Sequence, residues 1–117
     1  MSGEVDTIFG KIIRREIPAQ IVFESDSVLA FKDIAPVAPI HIVIIPKKPI
    51  RNIATATTED REVLGDLLLA AAQIAREMGI AEDGYRVVTN IEGHGGQTVF
   101  HLHLHLVGGR QMLWPPG

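Results

Sequence analysis

Residues 99–110 read VFHLHLHLVGGR, and three of the chain's five histidines fall in it at every second position, His101, His103 and His105. A strand sends successive side chains to opposite faces. The spacing therefore predicts a strand with the three imidazoles on one face and Leu102, Leu104 and Leu106 on the other. The leucine face is expected to bury against a helix. The histidine face is expected to stay polar and at least partly wet, because three imidazoles in a dry core leave donors unpaired.

Upstream, DTIFGKIIRREI predicts a short helix capped by Asp6 or Thr7, with Ile8, Ile12 and Ile13 on one side and Pro18 ending it. IVFES and VLAFKD predict a hairpin around Ser25-Asp26-Ser27. IHIVIIP, rich in β-branched residues and bounded by prolines, predicts a central strand. TTEDREVLGDLLLAAAQIAREMG is the long helix, with Thr57 or Thr58 as cap and Gly79 just past its end. Val63, Leu67, Ala71, Ile74 and Met78 make one apolar stripe, and Leu64, Leu68, Ala72 and Ala75 a second. A helix on a sheet needs one buried face, so the second stripe predicts contact with another subunit, or else with a covering loop. YRVVTN and HLHLHLV supply two more strands, joined by the Gly-rich loop IEGHGGQ. Strands with one long helix and one short one, in no regular alternation, predict an α+β domain with a mainly antiparallel sheet.

The 117-residue chain is expected to be a single domain whose core runs from about residue 6 to 117. With no cysteine it has neither disulfides nor thiolate metal clusters, which fits a reducing compartment. MSGEVDTIFGKIIRRE lacks a secretory leader's apolar run, and no stretch reaches the roughly 20 apolar residues of a bilayer span. A net charge of −3 gives no general attraction to nucleic acid, so local donors must hold any phosphate ligand. The expected setting is soluble and intracellular.

Three readings of the histidine row remain open at this level. Satisfied or exposed structural histidines are the simplest. A metal site is the second, since His-x-His on a strand suits zinc. The outer pair lies about 13 Å apart at the backbone, from a rise of roughly 3.3 Å per residue, too far to share one ion. A metal would need two of the three plus His41, Asp33 or Glu92. The third reading is nucleophilic attack on phosphorus by neutral imidazole, with a second imidazole supplying charge or a proton. Spacing does not decide which ring attacks, but the middle one, His103, has a histidine on either side. The loop residues Gly93, His94, Gly95, Gly96, Gln97 and Thr98, just upstream, can turn backbone N–H groups toward an anion. Asn90 can bond a ribose or phosphate, or cap the turn.

NIEGHGGQTVFHLHLHLVGGRQMLWPPG, together with DTIFGKIIRREIPA and VLAFKDIAPVAPIHIVIIPKKPI, resembles the histidine triad (HIT) superfamily, in its histidine triad nucleotide-binding (HINT) branch. The resemblance implies a HIT-like α+β fold, a five-stranded antiparallel sheet joined to that of a second copy in a homodimer, with the long helices at the contact. It implies a purine nucleoside phosphoramidase that hydrolyses adenosine or guanosine 5′-monophosphoramidates without a metal or other cofactor. In that reading His103 is the nucleophile, His105 contacts the phosphate and protonates the leaving amine, and His101 and His41 form a supporting hydrogen-bonded pair. Gln97 and Thr98, with the loop amides, Gly96 among them, hold the phosphate. Ile8, Phe9, Ile12, Phe31 and Ile34 surround the base, and Asp33 takes the ribose hydroxyls. Trp114, in the Pro-Pro tail, reaches toward the partner's site.

His105 stands where the uridylyltransferase relatives carry glutamine, which favours hydrolysis. The absence of cysteine sets the chain apart from the zinc-finger-bearing repair branch. His94 and Leu113 are positions of expected family variation. A purine-nucleotide-binding regulatory or scaffold protein with little turnover is the alternative function. The expected partners are purine nucleoside monophosphates, phosphoramidates and a second copy, with no membrane and no nucleic acid. The expected location is cytoplasmic, with the nucleus added if the source is eukaryotic.

Overall fold

β3, Ile40–Pro46, sits at the centre of a five-stranded sheet in the order β1-β2-β3-β5-β4, every neighbouring pair antiparallel. The other strands are β1 (Ile21–Glu24), β2 (Val28–Lys32), β4 (Tyr85–Val88) and β5 (Leu104–Gly108). The helices are α1 (Ile8–Ile13), α2 (Arg61–Glu77) and the single turn α3 (Glu92–Gly95), with 3-10 turns at Ile53–Thr55 and Thr58–Asp60. This computed structural model describes residues 6–117; the first five residues of the stretch read for a leader lie outside them. Among the described residues no helix is long and apolar enough to cross a membrane. The α+β class and antiparallel sheet agree with the sequence; the added helical turn lies within what read as plain Gly-rich loop.

Both faces of β3 are covered, which explains its almost unbroken apolar run. Ile42 and Ile44 join Val28, Ala30, Leu104 and Leu106 beneath Leu67, Ala71 and Ile74 of α2. Val43 and Ile45 point the other way, into a second cluster with Leu29, Phe31 and the α1 residues Phe9 and Ile12. Each wholly buried Ile or Leu contributes about 1.5–3 kcal/mol relative to exposure. Leu102, Leu104 and Leu106 bury against the long helix, as their alternation predicts.

α2 follows the 3-10 turn, whose N-cap Thr57 accepts from Glu59 N–H while Asp60 accepts from Thr57 N–H. Met78 caps its C-terminal end, and Gly79 takes a left-handed φ of 75° that a side chain would strain. Its buried face is Leu67, Ala70, Ala71, Ile74 and Ala75. From the second stripe Leu68 remains 59% exposed, beside Leu69 at 71%. Among the described residues, no loop covers these two leucines. α1 turns differently from expectation: Thr7 caps it, but Phe9 and Ile12 face the sheet while Ile8 is half exposed. A helix this short docks by its largest side chain, and the ring of Phe9 outweighs Ile8.

Two expectations about the histidine row need correction. β5 begins only at Leu104, so His101 and His103 precede the strand. Beyond Ile44, which pairs with Leu104, the incoming segment leaves β3. Its backbone is bound instead by Ile50 O, which accepts from Leu102 N–H at 2.6 Å, and by Thr89 Oγ1, which donates to His103 O at 2.8 Å. Nor is most of the histidine face wet, since only His105 keeps partial exposure. His101 and His103 are 4% and 5% exposed, because α1 lies over them and supplies Phe9 as a lid.

Candidate active site

The strand register assembles the site. Val43 stands opposite His105, and His41 opposite Val107, so His41 lies diagonally beside His105 on the α1 face of the sheet. His41 Nε2 meets His105 Nδ1 at 2.9 Å, and Asp33 Oδ2 lies 3.4 Å from His41 Nε2. Asp33 follows β2 directly, and its other carboxylate oxygen accepts from Ala35 N–H at 2.8 Å, which fixes the turn. The rings of His103 and His105 are 4.9 Å apart, edge to face. Phe9 stands edge-on to His103 at 4.9 Å and to Phe31 at 5.5 Å.

The hydrogen bonds fix where the protons sit. A carbonyl oxygen only accepts. His103 Nδ1 is 2.7 Å from His101 O, so Nδ1 carries the proton and, in the neutral ring, Nε2 keeps its lone pair. His101 Nε2 likewise donates to Pro46 O at 2.8 Å. Val37 N–H donates to His41 Nδ1 at 3.2 Å, which leaves the proton of neutral His41 on Nε2, facing His105 Nδ1. Neutral His105 then carries its proton on Nε2. Burial holds His103 below the ordinary histidine range, against the opposing pull of its bond to His101 O and of Asp33. Burial, reinforced by the neighbouring His103 and His41, pushes His105 down to about 4. Both rings are neutral at pH 7.

His41 thus pairs with His105 and not with His101, as the resemblance implied. Antiparallel pairing puts His41 near the start of β3, whereas His101 meets Pro46 at its end. The metal reading also meets a specific obstacle. Asp33, His41 and His105 place one ligand-type atom each within 4.8 Å of one another. To ligate through Nε2, neutral His41 would need its proton on Nδ1, where Val37 N–H already points. Glu92, the other ligand considered, is engaged by Arg51 at 2.7 and 2.9 Å and by Asn52 at 2.9 Å.

The remaining expected residues divide. Phe9, Ile12 and Phe31 are buried together beside the histidines, whereas Ile8 is 50% and Ile34 98% exposed. Asn90 is half-buried and Gly96 exposed, with the left-handed φ of 81° that ends α3. Thr98 and His94 are exposed, as are Leu113 and Trp114 in the tail, which Arg86 pins through Leu113 O at 2.7 Å. The Gln97 side chain is not available to a phosphate. Its Oε1 accepts from Asn52 Nδ2 and Glu92 N–H, and its Nε2 donates to Arg51 O and Val99 O. Sequence reading missed Val37, Arg51 and Asn52. Val37 acts through its backbone, which no side-chain pattern reports, and Asn52 meets partners 40 and 45 residues away.

Comparison with known proteins gives the family and the fold. The HIT domain pattern matches residues 14–112. The chain belongs to the HIT family. An uncharacterised HIT-like protein of Synechococcus elongatus is 61% identical over 96% of this chain and 97% of its own length. The crystal structure of a HIT family hydrolase from Legionella pneumophila superposes with a TM-score of 0.94 at 51% identity, covering 96% of this chain and all of the other. A histidine triad nucleotide-binding protein from Candida albicans gives a TM-score of 0.81 at 30% identity, over 94% of this chain and 83% of its own. The chain therefore has the fold of HIT family hydrolases, with an unprotonated imidazole nitrogen at its centre.

Proposed function

We propose that this HIT protein is a purine nucleoside phosphoramidase that hydrolyses adenosine or guanosine 5′-monophosphoramidates through a nucleotidyl-histidine intermediate. The observation that carries the reading is the bond from His103 Nδ1 to His101 O, which leaves the Nε2 lone pair as a nucleophile. Nε2 attacks phosphorus, an N–P bond forms and the P–N bond to the amine breaks. The positive charge on the modified ring is shared with His101 O through Nδ1–H.

His105 supplies the proton. An arriving phosphoryl anion favours its charged form, countering the burial that keeps it neutral in the free protein. The added proton occupies Nδ1, and His41 turns its Nε2–H toward Asp33 Oδ2, 3.4 Å away. His105 Nε2–H passes to the leaving amine. Water then attacks phosphorus, returns a proton to His105 Nε2 and frees His103 with the nucleoside monophosphate. Histidine ring nitrogens perform every step, so the reaction needs no metal.

Phe9, Ile12 and Phe31 give the base its apolar wall, and Asp33 stands ready for the ribose hydroxyls. Edge strand β4, with Tyr85 and Val87 exposed, and the exposed Leu68 and Leu69 of α2 support a homodimer whose sheets join edge to edge. Rapid-quench trapping with radiolabelled adenosine phosphoramidate tests the chemistry. The expected result is an acid-labile adduct on His103, with no turnover by His103→Asn. Wild-type turnover in that variant would refute the mechanism.

A further inference from the structure

Glu92, the first residue of α3, is not a glycine yet has φ of 58°. Such a conformation persists only where the surroundings over-determine it. Here they do. Arg51 grips its carboxylate with Nε at 2.7 Å and Nη2 at 2.9 Å, and the wholly buried Asn52 adds Nδ2 at 2.9 Å. Glu92 N–H donates to Gln97 Oε1 at 2.9 Å, and Glu92 O accepts from Gln97 N–H at 3.1 Å. Asn52 Nδ2 also donates to Gln97 Oε1 at 3.0 Å, and Gln97 Nε2 reaches Arg51 O and Val99 O. Arg51 further lies 4.1 Å above the Phe100 ring, next to His101. Both ends of the loop 92–98 are thus tied to one dipeptide, Arg51-Asn52, and so is the segment that enters the histidine row.

We propose that Arg51, Asn52, Glu92 and Gln97 are positioning residues that hold this loop in shape for the phosphoryl group of the substrate. The inference rests on the reading of the site given above. It assigns Gln97 a role through the backbone rather than as a phosphate ligand. It also accounts for a carboxylate at an anion-binding loop, where a lone negative charge would repel the substrate. Arg51 neutralises that charge, and its bonds, with those of Asn52, hold the Glu92 carboxyl at about 2. The clamp therefore stays ionised and closed across the working pH range.

The test compares adenosine with adenosine 5′-monophosphate by titration calorimetry on the full chain, for wild type, Glu92→Gly, Glu92→Gln and Arg51→Gln. Glycine accepts a φ of 58° without strain, so Glu92→Gly removes the clamp while keeping the backbone, and circular dichroism checks the fold. Monophosphate affinity should fall at least tenfold in Glu92→Gly and further in Arg51→Gln, which leaves a carboxylate unpaired. Adenosine affinity should stay within twofold, and Glu92→Gln, which keeps part of the bonding, should be intermediate. Unchanged monophosphate binding, or an equal loss of both ligands, overturns the clamp. Turnover of adenosine phosphoramidate by wild type separates the two readings. Active wild type with unaffected variants sinks the clamp alone. Inactive wild type that still shows the selective loss of monophosphate binding sinks the reaction alone, and wild type that binds no monophosphate sinks both.

Discussion

Replacing Phe9 by alanine should change stability and chemistry together, because one ring serves both. Phe9 is 9% exposed and closes the α1-side core while standing edge-on to His103 and Phe31. A buried Phe→Ala change costs about 3–5 kcal/mol, of which each edge-to-face contact accounts for about 1. A six-residue helix can partly collapse into the space, so the lower end, about 3 kcal/mol, is expected here. At about 1–3 kcal/mol per molar of urea, the unfolding midpoint should drop by about 1–3 M. Burial is the first cause of the lowered His103 pKa, so opening the lid should return the ring toward its ordinary value near 6.5. At pH 6 only about a quarter of such rings are neutral, against nearly all at pH 8. The activity of Phe9→Ala relative to wild type should therefore be lower at pH 6 than at pH 8, by up to about fourfold, whatever the loss in base binding. NMR titration of the His103 ring checks the shift directly. A destabilised variant with an unmoved His103 titration, and the same relative activity at both pH values, would refute the argument.

The depressed pKa of His105 predicts a pH dependence of stability with a definite sign. The unfolded ring takes up its proton near 6.5 and the folded ring near 4, so stability is full above about 6.5, declines as pH falls, and levels off near 4. The loss from this group is bounded at about 3 kcal/mol, and urea midpoints measured from pH 7.5 to 4 should flatten in His105→Asn. Gly109→Ala should cost about 2 kcal/mol in thermal melting. Its φ is 89° and a Cβ would come within 2.9 Å of Pro39 Cβ, so a neutral result would contradict the packing. Exhaustive chelation should leave phosphoramidate turnover unchanged. Loss of activity restored by zinc would show that His41 gives up its bond from Val37 to ligate a metal.

Much of the architecture was legible because it rests on short-range chemistry. The β-branched run IHIVIIP, alternation in HLHLHL, the Thr57 cap and Gly79 each act within a few residues, and β3, α2 and the leucine face follow from them. That His103 has a histidine on either side was legible too; its role as nucleophile stays a proposal. The sequence missed the direction in which α1 rolls, and with it the burial of His101 and His103, because the packing of Phe9 against Phe31 and His103 joins residues far apart in the chain.

Proton placement needed the folded chain altogether. Val37 N–H, His101 O and Pro46 O are backbone groups, identical in every residue that could stand there, so no side-chain pattern distinguishes them. Strand register alone decided that His41 meets His105. The amino-acid order determined which rings and which apolar faces this protein possesses. Tertiary structure decided which nitrogen of each ring is left with a lone pair, because that depends on the carbonyl or amide the fold brings against the other nitrogen.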